Sequence, residues 1–238
     1  MNQNNSTAAC RPVFSPTFLI LAVIFCVCLI VANLMEIKTV ELGPLVITAG
    51  VIVFPVSYII NDCIVEIYGF ARARFVIWLG FLMNLFVTVL LQIGLWLPGD
   101  AAWTGQSAMQ LVFGAVPRIL AASFTAFICG SMVNAYVMSR MKMRAGNNGR
   151  GFSLRAIVST ILGEGTDSAI FFPIAFGGVL PWSTVVTLIL TQTLLKTCYE
   201  ILILPVTLRI VKRLRSIEGS VAVDDNEKSY KWWKINEI

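Results

Sequence analysis

Six stretches of this chain are apolar over lengths that can cross a bilayer: Pro16–Met35, Leu45–Ile67, Phe75–Leu97, Leu111–Met138, Ala156–Val179 and Trp182–Ile210. Hydrocarbon offers a backbone no hydrogen-bond partner, so each stretch is expected to satisfy its own amides as a helix. With 57% hydrophobic and 13% charged residues among 238, and a mean hydropathy of +0.80, the composition excludes an ordinary soluble domain. The sequence predicts an all-α integral membrane bundle of six transmembrane helices over residues 16–215. A polar N-terminal tail, residues 1–15, precedes it, and a tail, residues 216–238, follows it. The first stretch is long, follows only one charge, Arg11, and lacks a good small-residue cleavage site, so it reads as an uncleaved helix.

Lys and Arg counted over the short loops set the orientation. Arg11, Arg72, Arg74, Arg140, Lys142, Arg144, Arg150, Arg155, Arg209, Lys212, Arg213 and Arg215 fall on one side, and only Lys38 on the other. Both termini are therefore expected in the cytoplasm, with Gly99–Gln110 outside and the glycine-rich turn Gly146–Gly151 inside. This asymmetry accounts for the net charge of +5, and nucleic acid is not needed as a partner. The bilayer is a partner by composition, and a homo-oligomer is compatible with the pattern. Tyr230, Trp232 and Trp233 among lysines suit an interfacial anchor, a disordered tail being the alternative.

The six cysteines lack paired spacing and read as packing residues. The chain has no histidine, so neither a His-based metal site nor a His proton relay is available, and no metal or cofactor is expected. Pro55, Pro117, Pro173 and Pro205 fall within apolar stretches and are expected to kink them. In the fifth stretch Gly163 and Gly165 flank Glu164, with Pro173 beyond, which makes it the candidate for a locally unwound helix. A packing kink at a small-residue contact is the alternative.

Ionisable side chains inside these stretches carry the functional argument, because a charge at bilayer depth is retained where it meets a partner or a water-filled cavity. They are Arg118 and Lys196 against Asp62, Glu164, Asp167 and Glu200, with Glu66 near an end. The surplus of acids calls for a proton, a cation or a hydrogen-bond-donating solute. Asn61, Asn134 and Gln192 add amides, and Phe54, Tyr58, Phe171, Phe172, Phe176 and Tyr199 add flat faces. Carboxylates, amides and aromatic faces together suit a small planar heterocyclic solute rich in donors.

The run Ala49-Gly50-Val51-Ile52-Val53-Phe54-Pro55, Asn61-Asp62, Glu66-Ile67-Tyr68-Gly69 and Arg72 resembles the queuosine-precursor transporters, a vitamin-uptake-transporter-like family. So do Arg118 with Ser123, Gly163 with Asp167-Ser168 and Phe171, Ile174-Ala175-Phe176, and Lys196 with Tyr199-Glu200 and Pro205. The resemblance spans about Asn33 to Arg213. It implies a bacterial inner-membrane importer of 7-deazaguanines, either a nitrile or aminomethyl precursor or queuine; separately, the chain has no nucleotide-binding signature, so transport is read as secondary or driven by another subunit. On that footing Asp167 and Glu164 read the base, Lys196 and Arg118 hold those acids ionised or meet the base carbonyl, and Asn134, Phe171, Tyr199 and Glu200 complete the binding site. Asn61, Asp62 and Glu66 form an inner gate or coupling site. The family pattern has Gln where this chain has Glu164 and Glu where it has Ser131, at matching depths on neighbouring stretches, as if the acid had changed helix.

Two other classes stand beside this reading. One is the substrate-binding subunit of an energy-coupling-factor importer, which would need ATPase partners; the chain itself has no GxxxxGK[ST] signature. The other is an enzyme, an intramembrane aspartyl protease with Asp62 and Asp167 as its dyad. Gly163-Glu164-Gly165-Thr166-Asp167 has one residue too many for its GxGD motif.

Overall fold

The computed structural model of the chain describes residues 14–43, 45–145 and 152–218. Expectations for the N-terminal tail up to residue 13, Cys10, the turn at 146–151 and the tail from 219 lie outside these residues. Seven α-helices, a short antiparallel hairpin and one 3-10 turn make up the described chain. In order they are α1 (Pro16–Met35), β1 (Thr39–Leu42), β2 (Leu45–Thr48), the 3-10 turn Ala49–Ile52, α2 (Phe54–Tyr68), α3 (Phe70–Trp96), α4 (Gln106–Phe113), α5 (Val116–Ala145), α6 (Phe152–Phe176) and α7 (Trp182–Glu218). Four helical stretches, Pro16–Met35, Ala71–Trp96, Gln106–Asn134 and Trp182–Ile203, are long and apolar enough to cross a membrane. Their outer faces, with Leu19, Val23, Leu85, Phe86, Leu190 and Leu194 exposed, suit lipid.

The second expected span is corrected. Leu45–Ile67 is not one helix: residues 45–48 form β2, residues 49–52 the 3-10 turn, and the 15-residue α2 starts only at Phe54. Pro55 accordingly sits in the first turn of α2, where no backbone donor is needed, and does not kink a span. Pro117 likewise stands at the start of α5, because the fourth stretch breaks at Gly114 between α4 and α5. The turn between α2 and α3 is the single residue Gly69, whose φ of 84° favours glycine. Arg72 and Arg74 are thus helical, and Arg74 is buried, where loop residues were expected.

The hairpin folds back into the bundle, and its strands pair Thr39 with Thr48 and Leu42 with Leu45. Non-helical backbone survives at membrane depth only where protein or a cavity satisfies it. Here the Thr191 hydroxyl of α7 donates to the Val46 carbonyl at 2.7 Å, and the Gln192 amide donates to the Thr48 hydroxyl at 2.6 Å.

Two apolar clusters result. Phe18, Phe25, Ile64, Tyr68, Val76 and Phe81 represent one, built on α1, α2 and α3 with Leu120 of α5 and Val211 from the far end of α7. Ile119, Ala126, Phe172, Phe176, Val185 and Leu188 represent the other, built on α5, α6 and α7. Between α3 and α5 lie two apolar clefts of about 190 and 410 Å³, which share Trp78, Phe81 and Phe124.

α5 and α6 form the most closely packed helix pair, and their glycines explain it. A Cβ on Gly163 would lie 2.9 Å from the Asn134 Cβ and 3.2 Å from the Gly130 carbonyl oxygen, and one on Gly130 would lie 2.9 Å from the Gly163 carbonyl oxygen. α6 is continuous through Glu164 and Pro173, so the expected unwinding does not occur, and Gly163 serves close helix approach. Gly163→Leu should therefore destabilise the protein by about 1–3 kcal/mol through overpacking against backbone. A melting temperature in detergent equal to that of the unsubstituted protein would contradict this contact.

Candidate functional site

Helical periodicity places the site residues in stripes. Thr160, Glu164, Asp167 and Phe171 follow one face of α6 at spacings of three and four, and Gln192, Lys196 and Glu200 follow one face of α7 at spacings of four. Where the two stripes meet, Lys196 Nζ lies 2.6 Å from Asp167 Oδ2 and 3.4 Å from Glu164 Oε2. One cation against two carboxylates leaves a formal charge of −1 in a setting where Lys196 is 8% exposed. The short Lys196–Asp167 contact is a charge-assisted hydrogen bond. Asp167 is about 14 Å from the Phe176 end of α6, near half the thickness of a bilayer core.

The ion centre forms one wall of a polar cavity of about 40 Å³ lined by Asn33, Glu36, Ser123, Asp167, Phe171, Phe172, Gln192 and Lys196. Such a space holds a few waters but not a bicyclic heterocycle. Phe171 and Phe172 meet edge to face at 5.1 Å, and Phe172 stacks on Phe176 at 6.0 Å.

Glu36 is the residue that sequence reasoning missed. It caps α1, its N–H bonding the Ala32 carbonyl oxygen, and it is 3% exposed. In sequence it follows the first apolar stretch, two residues before exposed Lys38, so it resembles a solvated helix end. The returning hairpin and 3-10 turn bury it: Thr48 hydrogen-bonds its carboxyl, and its Oε1 lies against Gly50, where a Cβ would be 2.5 Å away. The i, i+3 pair Asn33 and Glu36, followed by an apolar segment with Gly50, is the signal that could have found it.

Of the expected site residues, the structure brings Asp167, Glu164, Lys196 and Phe171 together. Glu200 lies one turn along α7, its Oε1 accepting from the Thr160 hydroxyl at 3.2 Å, and both Glu164 and Asp62 are within electrostatic reach of it. Asn61 and Asp62 are half-buried on α2, and Tyr199 is half-buried on α7. Glu66 belongs to α2, but its side chain lies outside the described residues. Asn134 packs its Cβ against Gly163 at the α5–α6 contact.

Arg118 is placed elsewhere. Its Nε and Nη2 donate to the carbonyls of Ile174 and Gly177, both at 2.5 Å, so it caps the end of α6 where helical carbonyls lack amide partners. It meets no carboxylate in these contacts. Ser131 lines the apolar α3–α5 cleft with Ile77, Trp78 and Phe127, whereas its neighbour Gly130 faces α6. An acid at 131 would match the depth of Glu164 but open into the cleft. The pair Glu164→Gln and Ser131→Glu should therefore show no rescue, with effects on affinity additive within a few tenths of a kcal/mol. Restored uptake in the double variant would place both in one cavity. Asp167 is paired with Lys196, an arrangement unlike a protease dyad of two acids sharing a proton.

Residues 48–210 match the family model described as "Putative vitamin uptake transporter". The chain is 31% identical over 189 residues to the "Probable queuosine precursor transporter" of Bacillus subtilis (strain 168), covering 79% of this chain and 82% of that protein. It is 30% identical over 129 residues to the "Queuosine precursor transporter" of Escherichia coli (strain K12), covering 54% of this chain and 55% of that one. No solved structure matches it.

Proposed function

Because the chain belongs to the vitamin uptake transporter family, we propose that it imports a 7-deazaguanine precursor of queuosine, or queuine itself, across a bacterial inner membrane. The observation that carries this reading is the buried polar cavity, with one cation, two acids and two amides in its walls and Glu164 beside the cation, inside an otherwise apolar chain. A deazaguanine offers a ring N–H, an exocyclic amine and a carbonyl to such groups, and a planar face to Phe171 and Phe172. The names of the two relatives point to the same solute class.

In this reading Asp167, Glu164 and Lys196 form the charged centre of the binding site. Their net negative charge suits an aminomethyl substituent, which is cationic. Phe171 supplies an aromatic edge, while Asn134 of α5 and Tyr199 and Glu200 of α7 complete the binding site. Asn61, Asp62 and Glu66 of α2 act as gate or coupling residues, in secondary transport with both termini inside. Arg118 contributes by fixing the end of α6. The small cavity corresponds to a closed conformation, so solute entry requires separation of the walls.

Uptake of labelled 7-cyano-7-deazaguanine by bacterial cells that cannot synthesise it, with this chain as the only added gene, tests the proposal. Accumulation of label in queuosine-modified tRNA is expected. Absence of uptake from cells whose membranes contain the folded protein would overturn the reading.

A further inference from the structure

Three buried polar atoms around the cavity have no hydrogen-bond partner among the described residues: Glu36 Oε2, Gln192 Oε1 and Asn33 Nδ2. Their residues are 3%, 0% and 4% exposed, and all three line the cavity. Buried polar groups in folded proteins are nearly always satisfied, so three orphans at one cavity mark a place where something else completes them. Waters can do so in the closed state. The three atoms are two acceptors and one donor.

We infer that Glu36, Gln192 and Asn33 are the specificity-determining edge of the solute site, an acceptor, acceptor and donor set that reads a heterocycle presenting donor, donor and acceptor. That edge is the cyclic N–H, exocyclic amine and ring carbonyl of a 2-amino-4-oxopyrimidine ring. The inference rests on the deazaguanine reading above and moves base recognition from the Glu164–Asp167 pair to Glu36. Lys196 already engages both of those acids, whereas one oxygen of Glu36 is uncommitted.

The local structure holds these atoms in place. The Gln192 amide donates to Thr48 Oγ1, and Thr48 hydrogen-bonds the Glu36 carboxyl. One hydroxyl thus links the two acceptor residues in the cavity wall. Gly50 leaves room for the other Glu36 oxygen. Asn33 stands three residues before Glu36 on α1, hence on the same side of that helix. Phe171 and Phe172 on α6 line the same cavity and offer the apolar surface a planar ring needs. A base whose edge places a lone pair at the cyclic nitrogen would set acceptor against acceptor, and one without the exocyclic amine would leave an oxygen buried and unpaired. A site built to hydrogen-bond its ligand rejects such analogues strongly.

The test measures competition against labelled 7-cyano-7-deazaguanine on the full chain in lipid nanodiscs. The competitors are 7-deazaguanine, 7-deazahypoxanthine, which lacks the exocyclic amine, and 7-deazaadenine, whose edge is reversed. The unsubstituted protein should bind 7-deazaguanine at least about 10- to 100-fold more tightly than either analogue. Glu36→Gln should weaken 7-deazaguanine by a similar factor and bring 7-deazahypoxanthine within about threefold of it, with the melting temperature retained. Gln192→Met, which removes the neighbouring acceptor, should narrow the same ratio and serves if Glu36→Gln does not accumulate. Tight 7-deazaguanine binding with an unaltered preference in these variants would overturn the inference while leaving the transport reading intact. Failure of the folded, unsubstituted protein to bind any deazaguanine would overturn both.

Discussion

Lys196→Met is expected to abolish uptake and to destabilise the protein by about 3–5 kcal/mol, the range for removing one partner of a buried ion pair. Lys196 is the cation that meets Asp167 and Glu164, and it is 8% exposed. Without it the two carboxylates lose the cation that lies between them. Asp167→Asn alone is milder for the fold, because Glu164 remains as a partner for Lys196. Combining the two substitutions removes one positive and one negative charge and should recover part of the lost stability, with a coupling of about 0.5–3 kcal/mol. Uptake should stay absent in all three. Chemical unfolding in detergent gives the stabilities, and transport of label gives the function. A Lys196→Met protein as stable as the unsubstituted one would show that the ion centre is not what holds α6 to α7.

Gly50→Ala should reduce solute affinity at least about tenfold and lower stability by about 1–3 kcal/mol. A methyl group there would stand 2.5 Å from Glu36 Oε1, 2.9 Å from its Cδ and 3.0 Å from the Ala32 carbonyl oxygen. The carboxyl group can swing away, but the α1 backbone cannot, so both the reading edge and the packing suffer. Adding Glu36→Ala to Gly50→Ala should return most of the stability by vacating the space, while affinity stays low. That split separates room for a side chain from recognition by it. Competition binding and melting on the same preparations decide the matter, and undiminished affinity in Gly50→Ala would remove Glu36 from its seat on Gly50.

The membrane class was legible because long apolar runs have few other solutions. The Asp167–Lys196 pairing could be anticipated for a similar reason: ionisable groups at bilayer depth must find each other or water. Leu45–Ile67 was misread because hydropathy does not separate a buried strand and a 3-10 turn from the start of a helix, and short apolar runs are ambiguous between these states. Pro55 held the clue, since the first turn of a helix tolerates proline best. Glu36 stayed hidden for a different reason. Its burial comes from a segment that returns to it after the hairpin, a tertiary event that local pattern does not encode. Arg118, expected to hold the acids ionised or meet the base carbonyl, donates in the structure to the open carbonyls at the end of α6, partners that local sequence pattern does not reveal.

The clefts between α3 and α5 have a thermotropic consequence. Their walls are almost wholly apolar, so acyl chains of a surrounding bilayer would fill them, and those chains become part of the packing between α3 and α5 within the first apolar cluster. Relative motion of α3 and α5 then requires lipid tails to be squeezed out or drawn in. Tail order, and not protein contacts alone, would set the resistance to that motion. Chilling the membrane into its gel phase should therefore arrest the opening of the polar cavity more sharply than the temperature dependence of the protein itself would suggest.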